Sequence, residues 1–247
     1  MDETLRPVTE DRILGGRVAL AQPARGYRAG LDAALLAAAC DAQPGERVIE
    51  AGCGVGAVML AAAARRPGAR FLGLERDPAA LALARRNIRA NDLTDRVEAI
   101  QADVAGFRPE KPFDAALSNP PFFDDPNSLR GPDPARRDAY IADAGLAAWT
   151  AFLLRAVRDG GGVTLIHRAD RLADILALLA AKAGSFQIRP VQPFADAPAS
   201  RVLVRAVRGG RAPLRLLPAL VLHDRGGAKH AAEAEAILRG EADLPWL

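Results

Sequence analysis

The sequence is poor in the side chains that build metal centres and disulfide scaffolds. It has two cysteines and three histidines in 247 residues, and none of them is spaced like a set of metal ligands. Cys40 and Cys53 cannot form a disulfide framework, and we predict no metal site. Cys53 is interpreted as a small side chain in a turn, because no base lies near it in sequence.

We expect neither a leader segment nor a membrane-spanning run. Arg, Asp or Gly interrupts the alanine-rich stretches well short of membrane length, and the first ten residues are acidic and contain proline. We therefore expect no membrane contact and a cytoplasmic location. The sequence leaves a monomer and a homodimer both open.

Lysine is scarce: three of the 33 basic residues are Lys and the other 30 are Arg. Arginine suits phosphate contacts, but an Arg-rich and Ala-rich composition is equally typical of a GC-rich genome. The net charge of +3 is mild, so composition alone does not indicate nucleic-acid binding.

From residue 47 onward, apolar strand-like runs alternate with Ala/Leu/Arg-rich runs, which is typical of βα units and a largely parallel sheet. The predicted strands are 47–50, 70–75, 97–102, 113–118 and 163–167, and then 186–191 and 201–207 as an antiparallel addition to the sheet edge. The predicted helices are 55–66, 78–91, 147–159, 171–183 and a tail helix at 229–240. Asp77 and Pro78 mark one helix start, and Gly184 is interpreted as a helix stop.

The segment before residue 47 predicts a hairpin about Gly15 and Gly16, followed by a helix at 32–39. We interpret the chain as a single domain with an N-terminal part (1–46), a core (47–208) and a C-terminal extension (209–247). The one long irregular stretch is 123–138, and loops of that length are usually functional or mobile.

A glycine loop follows the first of these strands. "EAGCGVG" places Gly52, Gly54 and Gly56 between a strand and a helix, where backbone can approach a ligand. The Gly-x-Gly-x-Gly spacing departs from the dinucleotide fingerprint, and Glu50 precedes the loop. Because Glu50 would repel an anion, a ligand carrying a sulfonium and an ammonium is favoured over a pyrophosphate. The same features disfavour an NAD-dependent oxidoreductase.

Two further carboxylates, Glu75 and Asp103, follow the next two strands. In an open α/β sheet, ligands bind outside the carboxyl ends of strands, so these acids are expected to line one crevice with Glu50. Glu75 is placed to accept ribose hydroxyls and Asp103 an adenine amino group. The alternative for either acid is an ordinary N-cap or loop carboxylate.

At these residues the sequence resembles the class I S-adenosylmethionine (SAM) methyltransferases. "EAGCGVG", "GLERDP" and "QAD" are similar to their glycine, ribose and adenine motifs. The resemblance implies a seven-stranded Rossmann-like α/β fold, mostly parallel with an antiparallel last strand, and SAM as cofactor with S-adenosylhomocysteine as product. It also implies cofactor contacts from Arg76 and Val104, which follow the two acids.

The stretch "SNPPFF" ends the fourth strand. Its two prolines stiffen the backbone around Asn119, whose carbonyl oxygen can accept a hydrogen bond from an exocyclic amine, as can the carbonyl of Pro120. Phe122 or Phe123 offers a face for a planar base. The motif resembles the Asn-Pro-Pro-aromatic signature of methyltransferases for adenine N6, cytosine N4, guanine N2 or protein glutamine.

The segment before the glycine loop points to a narrower family. Gln22, Gly26, Tyr27, Arg28, Gly30 and Asp32 match a pattern that closes over SAM in the bacterial methyltransferases for adenine N6 of valine tRNA, in the anticodon loop. Asp32 could instead be a plain helix N-cap.

Two groups of arginines follow the "SNPPFF" motif in the sequence. Arg136 and Arg137, in the loop after the motif, and Arg201 and Arg205, in a late strand, are expected to contact RNA phosphates. For the late strand, a solvated strand edge explains part of the pattern equally well.

The sequence therefore predicts a SAM-dependent N-methyltransferase acting on tRNA. The alternatives are a DNA or rRNA base, a protein glutamine, a small molecule, or a non-catalytic SAM-fold module. Release-factor glutamine methyltransferases have an N-terminal helical bundle, whereas only about 25 residues precede the SAM segment here. This difference argues against a protein glutamine as the acceptor.

Overall fold

The computed structural model describes residues 7–25, 28–122, 145–226 and 229–246. The first of these ranges contains an antiparallel hairpin, β1 (Val8–Ile13) and β2 (Val18–Pro23). Its turn passes through Leu14, Gly15 and Gly16, all at positive φ. The hairpin predicted about the two glycines is therefore present.

The main sheet of the described residues has nine strands, two of them only two residues long. The seven longer strands are β3 (Arg47–Ala51), β4 (Arg70–Glu75), β5 (Val97–Gln101), β6 (Phe113–Ser118), β7 (Val157–Arg168), β8 (Ala183–Gln192) and β9 (Arg201–Arg208). The short strands β10 (Arg215–Leu216) and β11 (Leu220–Val221) both pair with β8. They are too short to show an alternating pattern, which is why the sequence predicts seven.

The strand order is β5-β4-β3-β6-β7-β9-β8-β10. The first five strands in this order, β5, β4, β3, β6 and β7, are parallel to one another. Strand β9 is antiparallel to both of its neighbours, β7 and β8. Because β9 lies inside the sheet, the interpretation of its arginines as a solvated strand edge is wrong.

The carboxyl ends of the parallel strands lie on one side of the sheet, which we call the rim. It is formed by the ends of β3, β4, β5, β6 and β7 at Ala51, Glu75, Gln101, Ser118 and Arg168. The antiparallel β9 begins there, because Arg201 pairs with Arg168. Loops that follow the parallel strands therefore share this side with the first residue of β9.

Six helices cover the sheet in the described ranges. They are α1 (Leu31–Ala38), α2 (Ala57–Arg65), α3 (Pro78–Ala90), α4 (Leu146–Ala156), α5 (Leu172–Leu179) and α6 (Ala232–Arg239). The predicted start of α3 is confirmed, since the Asp77 side chain accepts a hydrogen bond of 3.0 Å from the Ala79 N–H ahead of the N1 proline.

Two predicted helix ends are wrong, and the strand predicted to begin at residue 163 begins at Val157. The helix predicted to residue 159 ends at Ala156, and Val157 is already extended and paired with Phe113. The helix predicted to residue 183 ends at Leu179, and Gly184 lies in β8 instead of stopping the helix. Glycine is needed at 184 because a Cβ there would lie 2.3 Å from the Gly210 carbonyl oxygen.

Two apolar layers fill the space between sheet and helices. Leu35, Leu60 and Leu117 belong to the layer under α1, α2 and α3, and Phe152 and Leu165 to the layer under α4 and α5. Burying both faces of the parallel strands accounts for their continuous apolar sequence.

The C-terminal residues fasten the end of α1. The Leu244 N–H donates to the Ala38 carbonyl at 3.1 Å, and the Trp246 indole N–H donates to the Ala39 carbonyl at 2.7 Å. Asp243 pairs with Arg65 and Arg66 of the neighbouring helix segment. These contacts fix the helix whose first turn carries Asp32.

Candidate active site

The glycine loop joins β3 to α2 at the rim. Gly52, Gly54 and Gly56 all have positive φ, which glycine adopts without strain. A Cβ on Gly52 would lie 2.4 Å from the Trp149 ring, so glycine is required there by packing as well. The loop is thereby pressed against α4.

Glu75, at the end of β4, is bonded to this loop. One carboxylate oxygen accepts from the Gly54 N–H at 2.8 Å and the other from the Asp77 N–H at 2.7 Å. Each oxygen keeps a second acceptor position. Glu75 can therefore orient the loop and still accept hydrogen bonds from hydroxyl groups of a ligand.

Glu50 is a buried carboxyl beneath the loop. It accepts a hydrogen bond of 3.0 Å from the Met59 N–H. Burial is the main cause that raises the pKa of Glu50 to about 8; the Met59 hydrogen bond opposes this rise and the nearby Glu75 charge adds to it. A cationic ligand beside Glu50 would favour its charged form, whereas an anion would oppose it.

Asp103 lies two residues beyond the end of β5. One oxygen accepts from the Ala105 N–H at 2.7 Å, and the other lies 3.8 Å from an Arg76 nitrogen. The Arg76 and Asp103 side chains are 51% and 41% exposed, so this ion pair contributes little stability. The next residue, Val104, is buried. The three acids thus lie at the ends of adjacent strands, as the sequence predicts, with loop contacts of their own.

The segment before α1 is tied to the hairpin. The Arg28 guanidinium donates to Asp11 and Thr9, each at 2.8 Å, and the Ala29 N–H donates to the buried Gln22 side chain at 2.9 Å. Hydrogen bonds from Gln22 and Thr9, and then Arg28, hold the pKa of Asp11 below its usual value. The structure thus gives Arg28 partners on the hairpin; Tyr27 lies outside the described residues.

Asp32 lies in the first turn of α1, whose N-cap is Gly30. The plain N-cap alternative for Asp32 is therefore wrong. Its carboxylate accepts a hydrogen bond of 3.0 Å from Arg201, at the start of β9.

Asn119 directly follows β6. Ser118 pairs with Ala51 on one side and Leu165 on the other, and its hydroxyl donates to the Ala51 carbonyl at 3.2 Å. Ala51 precedes Gly52, so the half-buried Asn119 and the buried Pro120 lie beside the glycine loop. The candidate catalytic residues Asn119 and Pro120 therefore adjoin the glycine loop at the rim.

Phe122 lies between groups from two other strands. Its ring is 4.8 Å from that of His167 in an edge-on arrangement, and the Arg201 guanidinium carbon lies 4.9 Å from its centroid. The second phenylalanine, Phe123, lies outside the described residues, as do Arg136 and Arg137.

Arg205 is not brought to the candidate site. It lies four residues into β9, opposite Thr164, and pairs with Asp41 at 2.8 Å just after α1. An antiparallel strand carries each later residue farther from the rim, so of these two arginines Arg201 lies at the rim and Arg205 does not.

Two residues near the site were not identified from the sequence. His167 is buried near the end of β7 and contacts Phe122; a histidine ending an apolar run could have indicated it. Trp149 contacts Gly52 from α4, and no local signal predicts such a contact.

Within the described ranges, no group of three His, Cys, Asp or Glu side chains could hold a metal ion. Among the same residues, no helix is long and apolar enough to cross a membrane.

Residues 28–130 match the family model of the methyltransferase small domain. A tRNA1(Val) (adenine(37)-N6)-methyltransferase of Porphyromonas gingivalis is 33% identical over 60% of this chain and 61% of its own length. A release factor glutamine methyltransferase of Chlorobaculum tepidum is 28% identical over 62% of this chain and 56% of its own length. The chain spans about half the length of the curated relatives it matches.

Among solved structures, a predicted O-methyltransferase of Agrobacterium tumefaciens superposes with a TM-score of 0.71 and 26% identity, covering 86% of this chain and 98% of that one. The strand order with its antiparallel β9, the glycine loop and the matched segment all agree with the sequence resemblance. Residues 28–130 are similar to the methyltransferase small domain, and the chain has the fold of the class I SAM-dependent methyltransferases.

Proposed function

We propose that this chain is a SAM-dependent N-methyltransferase whose acceptor is the exocyclic N6 of an unpaired adenine in tRNA. The observation that carries the proposal is the position of Asn119-Pro120-Pro121-Phe122, at the end of β6 and beside the glycine loop on β3. An amide acceptor and an aromatic ring thus adjoin a turn suited to a small cationic cofactor.

The residues around the loop fit SAM. Buried Glu50 suits a positive charge, Glu75 suits ribose hydroxyls, and Asp103 suits an adenine amino group. SAM supplies an electrophilic methyl group when bound. A pyrophosphate would instead meet the charge of Glu75 and force Glu50 to stay protonated.

Asn119 would act on the acceptor amine. The lone pair of an aryl amine is delocalised into its ring, which makes the nitrogen a poor nucleophile. Hydrogen bonds to the Asn119 side-chain oxygen and the Pro120 carbonyl would draw this nitrogen towards sp³ geometry and orient its lone pair. The proton is lost after methyl transfer, so no strong base is needed beforehand.

The choice of tRNA rests on the relatives and on the substrate. The Porphyromonas gingivalis relative is named for adenine N6 of a valine tRNA, and the segment from Gln22 to Asp32 resembles that family. An anticodon-loop adenine is largely unpaired, so exposing it costs little and a compact enzyme suffices. Arg136 and Arg137, in the loop after the motif, are proposed phosphate contacts, and the reaction would take place in the cytoplasm with the tRNA.

A protein glutamine is the second candidate, because its side-chain amide is also a planar nitrogen and a release factor glutamine methyltransferase is among the relatives. Labelled SAM would be incubated separately with total RNA, DNA and protein, followed by nucleoside and peptide mass spectrometry. We expect N6-methyladenosine in the tRNA fraction, absent with Asn119→Ala. Label confined to protein, to another base, or to a hydroxyl would contradict the proposal.

A further inference from the structure

Arg201 joins two parts of the site that are far apart in the sequence. Its Nε donates to Asp32 on α1 at 3.0 Å, and its guanidinium carbon lies 4.9 Å from the ring centroid of Phe122. The Arg201 and Asp32 side chains are 31% and 20% exposed. A partly buried ion pair fixes the guanidinium plane more firmly than an exposed pair would.

The ring of Phe122 is therefore held from two directions. Arg201 lies over one face, and the buried ring of His167 meets it edge-on at 4.8 Å. A guanidinium over an aromatic face is an attractive cation–π contact. The two contacts define the tilt of the ring immediately after Asn119-Pro120-Pro121.

We propose that Arg201 is a positioning residue, which holds Phe122 so that the ring offers its opposite face to the planar acceptor group. Asp32 keeps the guanidinium in place from the first turn of α1. The inference rests on the proposed function in one respect, namely that Phe122 stacks on a planar acceptor. It replaces the expected phosphate contact of Arg201 with a role inside the site.

Arg205 provides a matched control in the same strand. Its pair with Asp41 at 2.8 Å also joins β9 to the α1 region, but this pair lies away from the rim. Losing either pair should cost similar stability. Only the loss of Arg201 should disturb Phe122.

The test compares Arg201→Gln, Arg205→Gln, Phe122→Leu and the double variant Arg201→Gln/Phe122→Leu in the full chain. For each, the melting temperature, the SAM dissociation constant and the single-turnover rate of methyl transfer would be measured at saturating acceptor. The acceptor is whichever of RNA, DNA or protein the wild-type chain labels. A wrong substrate class would therefore overturn the proposed function and leave this test intact.

We expect both Arg→Gln variants to lower the melting temperature similarly and to keep SAM affinity within about threefold of the wild type. Only Arg201→Gln should slow methyl transfer, by about tenfold, and it should cause no further loss in the Phe122→Leu background. Arg201→Lys should regain the melting temperature but only part of the rate, because its ammonium lacks the planar stacking surface.

Three results would overturn the proposal. Equal rates for Arg201→Gln and Arg205→Gln would reduce Arg201 to a structural ion pair. An undiminished effect of Arg201→Gln in the Phe122→Leu background would show that it acts elsewhere. A rise in the acceptor KM with a weaker salt dependence, at unchanged single-turnover rate, would restore the phosphate contact.

Discussion

The two halves of the rim are built differently. At the ends of β3, β4 and β5, three acids accept hydrogen bonds from backbone N–H groups. Glu50 and Asp103 accept from the segment that follows their own strand, and Glu75 accepts from the glycine loop that follows β3. At the ends of β6 and β7 and the start of β9, side chains contact one another: Phe122 meets His167 and Arg201, and Arg201 meets Asp32.

Under the proposed function, the first half binds the cofactor and the second positions the acceptor; we call them the cofactor half and the acceptor half. The cofactor half is ordered by the backbone of its own βα turns, so its geometry needs no acceptor. The acceptor half depends on four side chains contributed by distant parts of the chain. Asn119 lies where the halves meet, and variants on either side should affect one step far more than the other.

The largest effect is expected at Asn119. Asn119→Ala removes the acceptor that orients the amine, and it should lower the single-turnover rate by about 10²–10³-fold, the range for a preorganised hydrogen-bond partner in a transition state. The SAM dissociation constant, measured by calorimetry, should stay within severalfold. A wild-type rate in Asn119→Ala would show that Asn119 does not orient the acceptor amine.

A smaller effect is expected on the cofactor side. Glu75→Ala removes hydrogen bonds made by a charged group, so the SAM dissociation constant should rise roughly 10- to 100-fold. The rate at saturating SAM should change much less. Glu75→Gln serves as the control, because its amide oxygen can still accept from the Gly54 N–H. Unchanged SAM affinity in Glu75→Ala would contradict the assigned ribose contact.

Buried Glu50 is expected to lower the stability of the folded protein at high pH and to strengthen SAM binding. Its pKa rises from 4.5 to about 8 on folding, so its contribution to stability is present below the unfolded pKa and is lost as the pH rises through about 8. Glu50→Gln should abolish this loss. Its advantage in free energy of unfolding over wild type should grow by on the order of a few kcal/mol between pH 5 and pH 9.

Denaturant titrations at these two pH values would measure the Glu50 effect, and calorimetry should show weakened SAM binding by Glu50→Gln. An advantage that does not change with pH would mean that Glu50 is charged in the folded protein throughout.

The smallest effect is expected at Asp103. Because Asp103 and Arg76 are well exposed, Asp103→Ala should leave the melting temperature nearly unchanged and raise the SAM dissociation constant only about fivefold. Asp103→Asn should be milder, since its carbonyl can still accept from an adenine amino group. A loss as large as that of Glu75→Ala would place Asp103 nearer the centre of the cofactor half than its exposure indicates.

The same contrast explains what the sequence could predict. The glycine loop belongs to the turn between β3 and α2, and Glu75 with the Asp77-Pro78 helix start to the turn between β4 and α3. Each has a local sequence pattern, so the sequence predicts their positions. The Arg201–Phe122–His167 contacts depend on β9 lying inside the sheet, which strand parity cannot reveal. Gly184 misled for a related reason: its need for glycine comes from the Gly210 carbonyl in another segment, not from a helix end.

The most direct test is a crystal structure with S-adenosylhomocysteine bound. We predict ribose hydroxyls within hydrogen-bond distance of Glu75 and the Asn119 side-chain oxygen facing the space beside the sulfur, with Arg201 still over the Phe122 ring. An Asn119 side chain turned into the core, away from the cofactor, would contradict it.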